Sequence, residues 1–113
     1  MSARPASGLL ISAMIRRVEA AGGHAMVLAK GDATAGAILL VMADRGRTVR
    51  VVERMLGLDE VYRWNAAGPA DLEDAHALTD YIARRRRNDP DLWVVELDSP
   101  DAEQIAAELI QAV

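Results

Sequence analysis

The sequence predicts an α+β fold: an antiparallel meander of about four strands plus a fifth strand, in the order α-β-β-β-β-α-β-α. Three observations predict it. Both ends of the chain, Leu10–Val18 and Ala102–Val113, repeat apolar residues at helical spacing. The middle holds short apolar or alternating runs, each bounded by Gly-, Asn- or Asp-containing breaks. A third amphipathic stretch, Asp71–Arg87, then separates the fourth run from the last one, Leu92–Asp98. The helices are expected on one face of the sheet.

Ser7 is the expected N-cap of a first helix reaching about Ala21, with Leu10, Ile11, Met14, Ile15 and Val18 as its apolar stripe. Leu9-Leu10-Ile11 reads alternatively as a short strand before a helix from Ser12. Gly22-Gly23 ends the helix, because glycine takes the left-handed terminal conformation cheaply. Ala25–Lys30 is a first strand and Lys30–Gly36 a loop, read as a hairpin in which the glycines supply positive φ and Asp32 bonds the local backbone. Ala37–Ala43 is apolar throughout. Such a strand needs cover on both faces, from a helix on one side and a helix or a partner on the other.

Asp44-Arg45-Gly46-Arg47 reads as a hairpin turn into the strand Thr48–Met55. Leu56–Asp59 connects to Glu60–Asn65, which carries Tyr62 and Trp64 on one face. Asp71 is then the expected N-cap of the second helix, with Asp74 at the capping-box position and Leu72, Ala75, Leu78, Thr79 and Ile82 facing inward. Acids at its start and arginines at its end suit the helix dipole. Pro90 forbids continuation, and Leu92–Asp98 is the fifth strand. Ser99 and Pro100 open the last helix as N-cap and first turn, followed by Ala102, Ile105, Ala106, Leu109, Ile110 and Val113 at helical spacing.

With 113 residues the chain is one domain, 1–113, long enough to bury a core without staples. No cysteine is present, which excludes disulfides, zinc–thiolate sites and cysteine nucleophiles. No phenylalanine is present either, so the core must be aliphatic. The net charge of −4 argues against global attraction to nucleic acid or membrane. The longest apolar run is far below the ~20 residues that span a bilayer. The N-terminus lacks a signal-peptide pattern, so the cytoplasm is the expected location.

Several strings stand out together: Ile11-Ser12-Ala13-Met14-Ile15-Arg16-Arg17, Lys30-Gly31-Asp32-Ala33-Thr34-Ala35-Gly36-Ala37, and Tyr81-Ile82-Ala83-Arg84-Arg85 leading to Asp89-Pro90-Asp91-Leu92-Trp93-Val94-Val95-Glu96. On these residues the chain resembles the small alphaproteobacterial family catalogued as domain of unknown function 1491. The resemblance spans most of the first 98 residues and implies no activity, because that family has none assigned.

Candidate chemistry concentrates in the same strings. Lys30, Asp32 and Thr34 lie in a glycine-bounded loop. It lacks the order of a P-loop, whose lysine follows the glycines and opens a helix. Arg84–Arg87 is the densest charge in the chain, but at about 100° per residue four consecutive side chains fan around a helix. Arg84 and Arg85 are the candidates for phosphate or nucleic acid, with Lys30 beside them. The structural alternative pairs these arginines with Asp89, Asp91 or Glu96. Trp93 is a candidate stacking platform or strand anchor. Asp91, Glu96 and Asp98 would be the donors of an acidic metal site in a hydrolase, the least favoured reading. His24 and His76 have no second ligand at helical spacing, and no nucleophile motif accompanies them.

No cofactor is expected. Three amphipathic helices and an all-apolar strand carry more apolar surface than one small sheet face needs. A non-enzymatic interaction or scaffolding module, most simply a homodimer, is therefore the leading expectation. Binding of nucleic acid or a phosphate ligand is the alternative.

Overall fold

A computed structural model describes residues 6–110. The elements follow the expected order: α1 (Ser7–Ala20), β1 (His24–Ala29), β2 (Ile38–Asp44), β3 (Arg47–Leu56), β4 (Tyr62–Ala66), α2 (Ala75–Asn88), β5 (Trp93–Asp98) and α3 (Ala102–Ile110). Leu9–Ile11 is helical, so the strand alternative for that segment fails. Val113, the last position of the expected α3 stripe, lies outside the described residues. No helix among the described residues is long and apolar enough to cross a membrane.

The sheet is not the expected four-stranded meander. Its order is β1-β5-β2-β3-β4, with β5 inserted between β1 and β2. β5 runs parallel to β2, in register from Ile38↔Trp93 to Ala43↔Asp98, and antiparallel to β1. Only β2-β3-β4 is a meander. The physical reason is burial. β2 and the Leu92–Val95 run are the most continuously apolar segments of the sheet and occupy its middle, where both faces are covered. β1, four of whose six residues stay exposed, is displaced to the edge.

The helices occupy both faces, not one. On the first face α1 and α3 bury Leu10, Ile11, Met14, Val18, Ile105 and Ala106 against Leu40, Met42, Trp93, Val95 and Leu97. On the second face α2 lays Leu78, Tyr81 and Ile82 over Leu39, Val41, Val51, Leu92 and Val94. The cover that β2 demanded is therefore supplied by this chain's own helices. Ala75 and Thr79, expected in the α2 stripe, are exposed, and the Thr79 hydroxyl bonds back to the Ala75 carbonyl. Leu72 contributes from the turn that precedes the helix.

Local chemistry sets the ends of these elements. Arg45 and Gly46 both adopt positive φ, 54° and 81°, as a two-residue hairpin between β2 and β3 requires. The Asp98 carboxylate accepts from the N–H groups of Arg45 and Gly46 at 2.9 and 2.8 Å and fixes that turn. Asp74, not Asp71, caps α2, accepting from the N–H groups of His76 and Ala77. Asp71 instead accepts from Glu73 N–H in the turn before it. Ser99 opens α3 as expected, its hydroxyl accepting from Asp101 N–H at 3.0 Å.

Candidate functional site

The Lys30–Gly36 loop does not form a hairpin, because β1 and β2 are not neighbours. It arches over the start of β5. Asp32 N–H donates to the Asp91 carbonyl at 3.0 Å, and the Trp93 indole N–H donates to the Asp32 carbonyl at 2.7 Å. The sequence predicts that Gly31 and Gly36 supply positive φ, and neither adopts it. They let two backbones touch: a Cβ on Gly31 would sit 2.1 Å from the Asp91 carbonyl oxygen, and one on Gly36 2.4 Å from the same atom. Asp32 does bond the local backbone, its carboxylate accepting from the N–H groups of Thr34 and Ala35 at 3.2 and 2.8 Å.

The same loop receives the start of α1. Ser7 N–H donates to the Thr34 carbonyl and Gly8 N–H to the Ala33 carbonyl, satisfying helix donors that have no partner within the helix. Ser7 is therefore not the side-chain cap; Ala6 holds that position without one. The buried Ser7 hydroxyl donates to the Gly36 carbonyl at 2.6 Å and accepts from the Arg54 guanidinium at 3.2 Å. Arg54 in turn lies over the Tyr62 ring, 4.7 Å from its centroid. Two of the strings singled out in the sequence, at 30–37 and 89–96, thus meet at one corner with the start of α1 and the end of β3.

The four arginines divide as helix geometry demands, though not onto the expected partners. Arg86 turns inward and donates through Nη1 to three carbonyls, Lys30 at 3.2 Å, Pro90 at 2.5 Å and Leu92 at 2.8 Å. It staples the crossover loop to the α2–β5 joint. Arg85 lies across the second face, 2.5 Å from the Glu53 carboxylate and 3.0 Å from the Tyr81 hydroxyl. Glu53 holds this guanidinium protonated beyond its ordinary range. Neither arginine pairs with Asp89, Asp91 or Glu96. Arg84 and Arg87 remain on the outer face of α2, beside a shallow hollow that also contains Asp80.

Trp93 is only 6% exposed and packs in the first-face core, so its rings are not offered for stacking. Trp64 is half-buried, its indole N–H donating to the Ala106 carbonyl at 2.8 Å. Asp91 stands at the opposite end of β5 from Asp98, whose two oxygens are engaged by the hairpin turn. Glu96 lies mid-strand between Met26 and Val41, half-buried, its carboxylate hydrogen-bonded to no other described residue. The three carboxylates of the expected acidic site are therefore spread along one strand and do not converge.

An open cleft of about 1020 Å³ lies at the carboxyl ends of the parallel pair β2 and β5, where open α/β sheets commonly place ligands. Three of its charged groups serve the fold: Arg47 pairs with Glu73 at 3.1 Å, and Asp98 holds the turn. The largest unengaged features are apolar. Met26, Val27 and Leu28 on β1 are 60%, 41% and 43% exposed. Met55, Leu56, Leu58 and Val61 surround the β3–β4 turn, with Leu58 wholly in solvent. That turn is clamped by Arg63, which donates to both oxygens of Asp59 at 3.0 and 2.6 Å and pulls the Asp59 pKa down to about 2.

Sequence reasoning missed Ser7 as a corner residue, and also Glu53, Arg54 and the leading part taken by Arg86. The only sequence signal was co-occurrence: the two strings that meet at the corner were conspicuous as strings, although nothing local said that they touch.

The family model for a protein of unknown function, DUF1491, matches residues 6–107, and the chain belongs to that family. It is similar to the crystal structure of a DUF1491 family protein from Caulobacter crescentus CB15. The two share 34% identity, with 88% of this chain and 92% of that chain covered and a TM-score of 0.75. The NMR structure of a DUF1491 family protein from the same organism shares 32% identity over 92% of this chain and 94% of that one, with a TM-score of 0.76. The solution structure of an A. tumefaciens protein shares 31% identity over 86% and 87% of the two chains, with a TM-score of 0.67. No functionally curated protein matches the chain.

Proposed function

We propose that this chain is a non-enzymatic interaction or scaffolding module that works as a homo-oligomer in the cytoplasm. The observation that carries the reading is the division of labour on the surface. The corner's polar and charged groups hold backbone segments together, whereas most of the exposed large apolar side chains gather in two places, on β1 and around the β3–β4 turn, with Leu9 and Val49 lying apart. Grouped exposed apolar residues mark contact surfaces more often than scattered ones do. The apolar faces of the helices are not in surplus, because α2 takes up the second sheet face. What is left over is an edge and a turn.

Phosphate or nucleic-acid binding is the weaker reading. Arg85 and Arg86 are engaged, and the loop N–H groups of Asp32, Thr34, Ala35 and Gly36 already have acceptors. Sedimentation velocity of the full chain across micromolar concentrations tests the proposal. Twice the chain mass is expected, and a monomer throughout would overturn it.

A further inference from the structure

Building on that reading of a self-associating module, we propose that the free edge of β1 is where two copies pair, antiparallel and about a two-fold axis. The two five-stranded sheets then join into one of ten strands. Among the described residues β1 is bonded on one side only, to β5. In an edge strand every second N–H and C=O points outward, and a second strand can take up those groups. Among the described residues, none of the backbone bonds formed outside the helices and strands involves His24–Ala29.

Edge strands of proteins that stay monomeric are usually guarded by charge. The run His24-Ala25-Met26-Val27-Leu28-Ala29 contains no Asp, Glu, Lys or Arg. The opposite edge, β4, is shorter, carries Arg63, and has α3 tied to its Trp64. The absence of charge also selects the occupant. A two-fold operation places a strand against its own copy, so any charge near the axis would meet itself. Across His24–Val27 no such clash arises, whereas sliding the register toward the strand's end brings Lys30 toward the Lys30 of the other copy. The bulge between Val27 and Ala29 bends the strand away, which confines regular pairing to His24–Val27 and fixes the axis within that run.

The test uses the full chain with single substitutions. Val27→Lys on the exposed edge should turn the dimer into a monomer, weakening self-association roughly tenfold or more through like-charge apposition, while leaving thermal unfolding cooperative. Leu58→Lys, on the β3–β4 turn, should leave the mass unchanged. Because the chain has no cysteine, Ala25→Cys and Met26→Cys supply a second readout that does not depend on a charge being tolerated. Only the residue on the axis faces its own copy, with Cα atoms roughly 4.5–5.5 Å apart and within disulfide reach, so mild oxidation should cross-link one of these two variants and not Leu58→Cys.

Wild type that dimerises while Val27→Lys dimerises equally well, with no cross-linking at 25 or 26, would overturn the edge assignment and leave the homo-oligomer intact. Wild type that is monomeric throughout would overturn both.

Discussion

Removing the Arg86 side chain should destabilise the protein far more than removing its neighbour Arg84. Arg86 Nη1 faces three carbonyl oxygens, those of Lys30, Pro90 and Leu92, but carries only two hydrogens, so the three share two donors. A hydrogen bond from a charged donor contributes about 1.5–3 kcal/mol. In Arg86→Ala, water can replace the guanidinium at the exposed Lys30 and Pro90 carbonyls. The Leu92 carbonyl is partly buried and is left poorly satisfied. The expected loss is therefore about 2–3 kcal/mol, a large share of the ~5–15 kcal/mol typical of a domain. Urea unfolding at 25 °C should show the midpoint falling with the slope unchanged, and the melting temperature should drop by roughly 10 °C. Arg84→Ala should stay within about 0.5 kcal/mol of wild type. Arg86→Lys should fall between, since an ammonium cannot reproduce the planar fork. An Arg86→Ala variant as stable as wild type, or an Arg84→Ala variant equally damaged, would refute the staple.

Two further outcomes follow from the geometry. Gly31→Ala should cost about 3 kcal/mol or more in the same urea assay, because its Cβ meets the Asp91 carbonyl at 2.1 Å and neither backbone can swing aside. Gly22→Ala, with open space around it but φ of +87°, should cost only about 1 kcal/mol, and equal losses would contradict the close-approach argument. The Asp59 carboxyl should titrate near 2 in an NMR pH series, and Arg63→Ala should return it toward the ordinary 3.8. Because the folded pKa lies below the unfolded one, the Asp59–Arg63 clamp contributes fully above pH 3.8 and is lost as pH falls through about 2. A native midpoint near 3.8 would mean that the clamp does not form.

Much of the secondary structure was legible because its causes are local. The α1 stripe, Gly22, the Arg45-Gly46 turn and the Ser99-Pro100 start each express a preference set within a few residues. Ala37–Ala43 even announced that both faces of β2 would be covered. The same locality explains the slip at α2, where Asp71 and Asp74 are both good caps and the need to bring Leu72 onto the second-face core favours the later one.

The strand order was not legible. Chain adjacency favours pairing β1 with β2, but burial places β5 between them, a choice made by contacts 55 to 74 residues apart in sequence. Once β5 is there, everything distinctive about the corner follows. The loop must cross over Asp91, so Gly31 and Gly36 must lack side chains. Ser7 must meet Gly36, and Arg86 finds the Lys30 carbonyl 56 positions away. The sequence alone determined which segments are helix and strand, and that four consecutive arginines cannot share one target. Only the tertiary structure decided which arginine holds the corner and which strand is left with an open edge, because both depend on long-range pairing that no local pattern encodes.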